Sequence, residues 1–551
     1  MTYVVTQNCC NEASCIAVCP VDCIHPGPGE PGYRTTEMLY IDPVACIDCG
    51  ACADACPVEA ISPDESLEGL DLRYLEINAG YYAGAAGTGT QCESAADRDP
   101  TERSDGRLLG RVAVVEQASP LRVAVVGSGP AASYAAEELL ANRDVDVEVT
   151  MLERLPFAGG LVRYGVAPDH SKTKLVERGY ARTLGRPGMT AYLGVEVGRD
   201  LTLDELADHH HAVIVATGAD RDRQLGIPGE SLAGVHGARE FVAWYNGHPD
   251  LAEARFDLSS DRAVVIGNGN VALDVARILV SDIDDLRRTD IADHALDALA
   301  ASAIRDVVVI GRRGPAAAAC TVPELLGLSA LDGVDVLVDD RCGDAEEADS
   351  VGPEVAYKVQ LLREYAAARP QHDRRLTLRF HAAPQEILGA ESVDGVRLAA
   401  PDGSTDDLAA GLVLRSIGYR GTPFADLPFD AQTGTVANIG GRVHSPESDA
   451  PVPGRYVAGW IKRGPTGVIG TNKLCAQETV AALLEDYAAG ALAEPVGSAS
   501  EFADVISQRR PQALSAADWV AVDRYERSLG RKQKRPRVKL LDPGPALAKR
   551  Q

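Results

Sequence analysis

Nine of the 13 cysteines fall between residues 9 and 56, and their spacing is the most chemically specific feature of the chain. In Cys46-x-x-Cys49-x-x-Cys52-x-x-x-Cys56-Pro57, three closely spaced thiolates suit one iron–sulfur cluster, and the fourth cysteine reaches a neighbouring cluster. A Cys₄ zinc site fits less well, because its ligand pairs are usually well separated. The same pattern stands 37 residues earlier as Cys9-x-x-Glu12-x-x-Cys15-x-x-x-Cys19-Pro20. Cross-ligation predicts that Cys46, Cys49, Cys52 and Cys19 hold a [4Fe–4S] cluster, while Cys9, Cys15 and Cys56 hold the second. Glu12 occupies the fourth-ligand position of that second site. Three thiolates favour [3Fe–4S] there, and a labile fourth iron on Glu12 or Cys10 would make it [4Fe–4S]. Cys23 reads as a buried thiol beside the clusters.

A second kind of chemistry is written in glycine. Val123-Ala-Val-Val-Gly127-Ser-Gly129-Pro130-Ala-Ala132 is the strand, tight turn and helix start of a dinucleotide-binding unit. Glu153 ends the next strand, 26 residues after Gly127, where a carboxylate suits ribose hydroxyls of FAD or NAD and repels a 2′-phosphate. Gly160, Leu161 and Val162 follow in a segment running to His170 and Lys172, and the glycine pair before Leu161 lets backbone lie against a cofactor. A second unit, Gly267-Asn268-Gly269-Asn270-Val271-Ala272, leads to a strand that ends in Arg312 and Arg313. Guanidinium groups match a 2′-phosphate, so this unit should take NADPH. The run Tyr456 to Lys473 carries a Gly-rich turn and the start of a helix over 472–487 that would close the first unit. His209, His210 and His211 read as a solvated helix end rather than a metal site.

These elements set the architecture. A chain of 551 residues should hold roughly three domains: a two-cluster module over 1–82, a linker over 83–120, an FAD-binding domain over 121–219 and 420–551, and an NADP-binding domain over 220–419. Residues 62–82 end in a strand or short helix. No run of about 18 apolar residues is present, so no membrane partner is expected. The N-terminus lacks a signal peptide's pattern, and a cytoplasmic location follows. The net charge of −26 argues against nucleic acid as a partner. Residues 1–106 hold 18 acids against four arginines, and residues 524–551 hold ten Lys/Arg against two acids. The basic tail reads as a solvated terminal segment, with an acidic partner as its alternative.

Taken together, residues 121 to about 540 resemble the adrenodoxin reductase branch of the ferredoxin–NADP reductases. The motifs that carry this are Gly127-x-Gly129-x-x-Ala132, Gly160 through His170, Gly267 through Arg277, Arg312-Arg-Gly-Pro315 and Gly459 through Gly470. With residues 1–82, which are similar to seven-iron bacterial ferredoxins, the chain looks like the actinobacterial reductases with a fused ferredoxin domain. The resemblance implies a small α+β two-cluster ferredoxin domain followed by α/β double Rossmann-like FAD and NADP domains of the glutathione-reductase type. It implies FAD ribose binding by Glu153, and Trp460 and Gly467, with Val468 and Ile469, near the isoalloxazine. Arg312, Arg313 and Glu324 would line the NADP adenosine phosphate pocket, and His170 would sit at the active site. The family pairs that histidine with a glutamate at the position of Gly327, a departure that bears on the histidine's charge state and its part in proton handling.

The expected path runs from NADPH to FAD and then, one electron at a time, to the fused clusters and an external ferredoxin or other one-electron acceptor. A disulfide-reducing relative would need a cysteine pair at the flavin, yet no cysteine lies between Cys92 and Cys320. An electron-input subunit, similar to the small subunit of glutamate synthase, is the alternative that the basic tail leaves open.

Overall fold

The computed structural model describes residues 2–85, 119–339 and 352–549. Most of the expected linker, with Cys92, and also Cys342, lie outside the described residues.

The cysteine module shows its internal repeat directly. Two five-residue helices, Ser14–Val18 and Ala51–Ala55, each follow a left-handed residue, Ala13 or Gly50, and each stops at an extended cysteine, Cys19 or Cys56. Proline after each cysteine disfavours helical geometry at that cysteine and removes an amide donor. Strand Tyr3–Val5 pairs antiparallel with Ile61–Pro63, and Ile24–His25 pairs with Tyr40–Ile41. The segment left open as strand or short helix is a 13-residue helix, Arg73–Ala85. Asn78 on it fastens both strand pairs: its Oδ1 accepts from Val5 N at 3.2 Å and Ile41 N at 3.0 Å. Its Nδ2 donates to Val5 O at 2.9 Å.

Two β-sheets follow. A seven-stranded sheet runs in the order Asn438–Ile439, Arg442–Ser445, Ala450–Val457, Ala212–Val215, Leu121–Val126, Val147–Glu153 and Met189–Leu193. The last five strands are parallel, and their apolar runs are buried on both faces. A six-stranded, fully parallel sheet runs Val235–Gly237, Leu412–Arg415, Arg262–Ile266, Asp306–Ile310, Arg374–Arg379 and Val334–Val338. The two crossings between the sheets lie side by side, pairing Tyr419 with Asp222 and Arg420 with Arg221 antiparallel.

The cysteine module wedges against both units. Arg73 forks onto Glu364 and donates to Tyr357 Oη at 2.7 Å. Glu37 pairs with Lys358 at 3.3 Å and accepts from Val322 N at 2.7 Å, capping the helix Val322–Gly327. On the other side, Glu12 pairs with Lys473 and Arg34 with Glu478.

Two expectations are corrected here. The basic tail is not a solvated segment: Arg535, Arg537 and Lys539 are buried. Arg537 pairs with Glu177, Asp523 and Glu526, and Lys539 with Asp290. Those acids lie in the two sheet-containing units, so this part of the tail is paired internally, while Arg531, Lys532 and Lys534 stay exposed. Nor are the histidines solvated, since His210 and His211 are buried. His210 lies edge-on to Phe502, and its Nδ1 is 2.8 Å from Leu206 O. Burial drives its pKa down to about 4.

The deepest ion pair joins Arg163 to Glu526, two contacts of 2.9 and 2.6 Å with neither side chain exposed. Glu526→Ala would strand the guanidinium, and the expected cost is about 3–5 kcal/mol, measured by urea denaturation. At the module interface, burial and the neighbouring Glu37 push the Glu354 carboxyl up to about 8. A raised carboxyl favours the native state below its ordinary range, and that contribution is lost as pH rises toward 8. Thermal unfolding midpoints should therefore fall between about pH 5 and 8, and Glu354→Gln should flatten that dependence.

Candidate functional site

Folding the cysteine repeat produces two separate cavities. One is lined by Cys19, Cys46, Cys49 and Cys52, with Cys23 beside them. The other is lined by Cys9, Cys15 and Cys56, with Cys10 and Glu12 on its wall. Each thus takes its last cysteine from the opposite repeat, the partition that cross-ligation predicts. Burial pushes the Cys9 thiol up to about 11, and Cys52 likewise. A hydrogen bond from Cys23 instead draws Cys19 down to about 6, the two sulfurs lying 3.5 Å apart. Buried thiols without cations suit iron, whose positive charge stabilises thiolates where burial alone keeps them protonated. The carboxylate of Glu12 is engaged by Lys473 from the reductase.

Three glycine turns converge around the start of helix Pro130–Ala141. Gly127 has φ +110, and a Cβ there would lie 2.6 Å from Ala216 O. A Cβ on Gly160 would lie 2.6 Å from Gly129 Cα, and one on Gly459 would lie 2.6 Å from Ala131 Cβ. Only glycine permits these approaches. Helix Pro130–Ala141 starts from Gly129 with no side-chain cap, leaving its first N–H groups for a pyrophosphate, and Ala132 is fully buried behind it. Glu153 lies beneath the turn, accepting from Ser128 N at 3.0 Å, Ser128 Oγ at 2.7 Å and Leu155 N at 2.9 Å. Burial raises its pKa. Leu161 is exposed and Val162 buried on the short helix after Gly160. Trp460 stacks on Tyr419 at 6.0 Å, and its Nε1 donates to Thr466 O just before Gly467. Val468 and Ile469 lead into helix Thr471–Ala488.

The second glycine turn repeats the design. A Cβ on Gly267 would lie 2.0 Å from Ser416 O, and helix Asn270–Val280 also starts uncapped at Gly269. Asn268 and Asn270, expected at the cofactor, use their side-chain oxygens within the fold: they accept from Ala319 N at 3.4 Å and Thr321 N at 2.8 Å. Val271 packs half-buried on the helix. Arg312 and Arg313 stand exposed just past strand Asp306–Ile310.

Around His170 the structure assembles a charge cluster that sequence reading resolved only in part. Arg277 forks onto Asp169 at 2.6 and 3.1 Å and reaches Asp274 at 2.6 Å. It also donates to His170 Nε2 at 2.9 Å, which makes that nitrogen an acceptor and directs the Nδ1 proton toward Glu324, 3.6 Å away. Burial of Asp169 opposes ionisation, but Arg277 outweighs it and holds the carboxyl down at about 2. Burial, reinforced by Asp274, raises Glu324. The expected place of Glu324 in the adenosine phosphate pocket is therefore corrected. Capped by Thr321, its helix turns the carboxylate inward to His170 and Arg277. His170 does not lack a partner, and Gly327 serves another purpose: a Cβ there would lie 2.5 Å from Gln7 of the cysteine module. Asp169, Asp274 and Arg277 had signals, lying inside the two motifs, with Asp274 and Arg277 one helical turn apart.

Comparison with known proteins follows this division. The family described as pyridine nucleotide-disulphide oxidoreductase matches residues 121–320, and the 4Fe-4S binding domain matches residues 39–62. The chain is 49% identical over 560 residues to the probable ferredoxin/ferredoxin--NADP reductase of Mycobacterium tuberculosis, covering 100% of this chain and 95% of that protein. It is 39% identical over 453 residues to the mitochondrial NADPH:adrenodoxin oxidoreductase of Arabidopsis thaliana, covering 77% of this chain and 94% of that protein. The solved structure of Mycobacterium tuberculosis FprA in complex with NADPH superposes with a TM-score of 0.74 at 44% identity, covering 78% of this chain and 99% of that one.

Arg277→Met would leave Asp169, Asp274 and Glu324 facing one another without their cation. We expect a loss of about 3–5 kcal/mol, read by denaturant unfolding, with part of it recovered at low pH as the carboxyls protonate.

Proposed function

Because the chain belongs to the ferredoxin–NADP reductases of the adrenodoxin reductase type with a fused ferredoxin domain, we propose that it catalyses NADPH-dependent reduction of its own two clusters and, through them, of an external one-electron acceptor such as ferredoxin, the ferredoxin–NADP⁺ reductase reaction. The observation that carries this is the seating of the cysteine module against the segment that follows Gly467, Val468 and Ile469, where Gly470 N donates to Cys10 O at 2.8 Å. That contact sets the cluster cavities beside the flavin side rather than at the far end of a tether.

The residues present fit the groups this requires. Gly127, Gly129, Pro130, Ala132, Glu153 and the turn at Gly160 would hold FAD; Gly267, Gly269, Arg312 and Arg313 would hold NADPH. Cys19, Cys46, Cys49 and Cys52 would hold a [4Fe–4S] cluster, and Cys9, Cys15 and Cys56 a [3Fe–4S] cluster. Engagement of Glu12 by Lys473 favours three ligands over four at the latter site. Bound FAD supplies the conversion of a two-electron hydride donor into single electrons. The protein's part is positional. Uncapped helix starts present N–H groups to pyrophosphates. Arg277 donates to His170 Nε2 and so fixes the ring, with the Glu324 carboxylate 3.6 Å from Nδ1. Trp460, braced by Tyr419 and Thr466, would stand beside the flavin next to the Gly459 turn.

Anaerobic titration with NADPH, followed optically and by EPR, tests the proposal. The flavin band should bleach, and the chain should bind one FAD and about seven irons. An unbleached flavin, or iron far below that, would rule it out. Replacing Arg312 and Arg313 with Ala should lower NADPH preference over NADH by about 10-fold or more per arginine, measured as the ratio of kcat/KM values.

A further inference from the structure

The two cysteine cavities differ in what surrounds them. The wall of the Cys9, Cys15 and Cys56 cavity is joined to the flavin-side helix Thr471–Ala488: Cys10 O accepts from Gly470 N at 2.8 Å, and Lys473 reaches the Glu12 carboxylate and Ser14 Oγ, the latter at 3.4 Å. Approach is closest at Gly470, where a Cβ would fall 1.9 Å from Asn11 O. Cys10, Val58 and Ala60 are buried in one apolar cluster with the core of the flavin unit, and Cys9 and Cys56 pack against it. Both cavities are lined by the module's own residues, but the rim of the Cys19, Cys46, Cys49 and Cys52 cavity is open where the other is covered. Around it Cys49 is exposed, Ile47 is 59% exposed and Val44 91%. Asp48, next to Ile47 in the chain, is half-buried, and Asp54 on the helix Ala51–Ala55 is exposed.

From this asymmetry, and resting on the function proposed above, we propose a fixed electron direction through the module. The Cys9, Cys15 and Cys56 site is the inlet, taking electrons from the flavin across Gly470 and Cys10. The Cys19, Cys46, Cys49 and Cys52 site is the outlet, where a one-electron acceptor protein docks a basic face on the exposed patch of Val44 and Ile47, with Asp48 and Asp54 close by in the chain. Each pass oxidises the flavin by one electron and reduces the inlet cluster by one. A second transfer reoxidises the inlet and reduces the outlet, so two passes discharge the pair carried by one hydride. The flavin's proton is released to solvent. Glu12 and Lys473 form the latch that holds the inlet against the flavin unit. The acidity of residues 1–106 favours a basic acceptor by charge complementarity.

The test uses the full-length holoenzyme under anaerobic conditions, mixed with NADPH and freeze-quenched for EPR, with cytochrome c as the basic one-electron acceptor. In Cys49→Ser, which removes an outlet ligand, reduction of the inlet cluster should stay within about twofold of the parent, while cytochrome c reduction falls about tenfold or more. Lys473→Glu keeps every thiol and places like charge beside Glu12. There, electron arrival at the inlet should slow about tenfold at undiminished iron content. An inlet cluster that stays oxidised beside bleached flavin in Cys49→Ser would overturn the proposed direction, as would unchanged arrival in Lys473→Glu. Failure of the parent's flavin to bleach would instead defeat the NADPH-to-flavin reading beneath it.

Discussion

A guanidinium with no exposed surface requires its carboxylate, and the pair of Arg163 with Glu526 is the interaction on which the flavin side depends. Arg163 sits in the turn after Gly160, and Glu526 on the late helix Ala516–Lys532. Phe157, Tyr164 and Trp519 rings lie against the guanidinium at 4.7 to 5.3 Å from its central carbon. The turn that must lie against a cofactor is thus held from the far end of the chain. Arg537 and the Lys174–Asp290–Lys539 group extend the arrangement, so the C-terminal segment acts as a strap across the first unit.

Carboxylates serve the same organising purpose at the module interface. Glu12 binds Lys473 on the flavin side, and Glu37 binds Lys358 and the N-terminus of helix Val322–Gly327 on the other. That helix carries Glu324, the partner of His170. The seat of the cysteine module and the charge cluster around His170 therefore share one helix. The net negative charge of residues 1–106 reads as a surface property, but several of its acids are the fasteners.

Where physics is local, the sequence was legible. The cysteine spacing anticipated which thiols share a cavity, because two helical turns and a Cys-Pro stop leave little freedom. Gly127 and Gly267 announced tight turns, and both have left-handed φ with a carbonyl where a Cβ would be. The misread features all depended on partners distant in sequence. His210 and His211 looked like a polar helix end until Phe502, Tyr487 and the adjoining strand covered them. Arg537 looked solvated because Glu177, its acid, lies 360 residues away. Glu324 and Gly327 were read from a family register, yet whether a glutamate points at a histidine or a phosphate depends on the rotation of one short helix.

The two dinucleotide units, connected through the paired crossings at Arg221–Asp222 and Tyr419–Arg420, meet along a seam closed by Arg277 with Asp169 and Lys174 with Asp290. The cysteine module is fastened on both sides of it, through Glu12 and Arg34 on one and Glu37 and Arg73 on the other. The module is thereby a third body across that seam, and any change in how the two units sit against each other must strain its ion pairs as well as theirs.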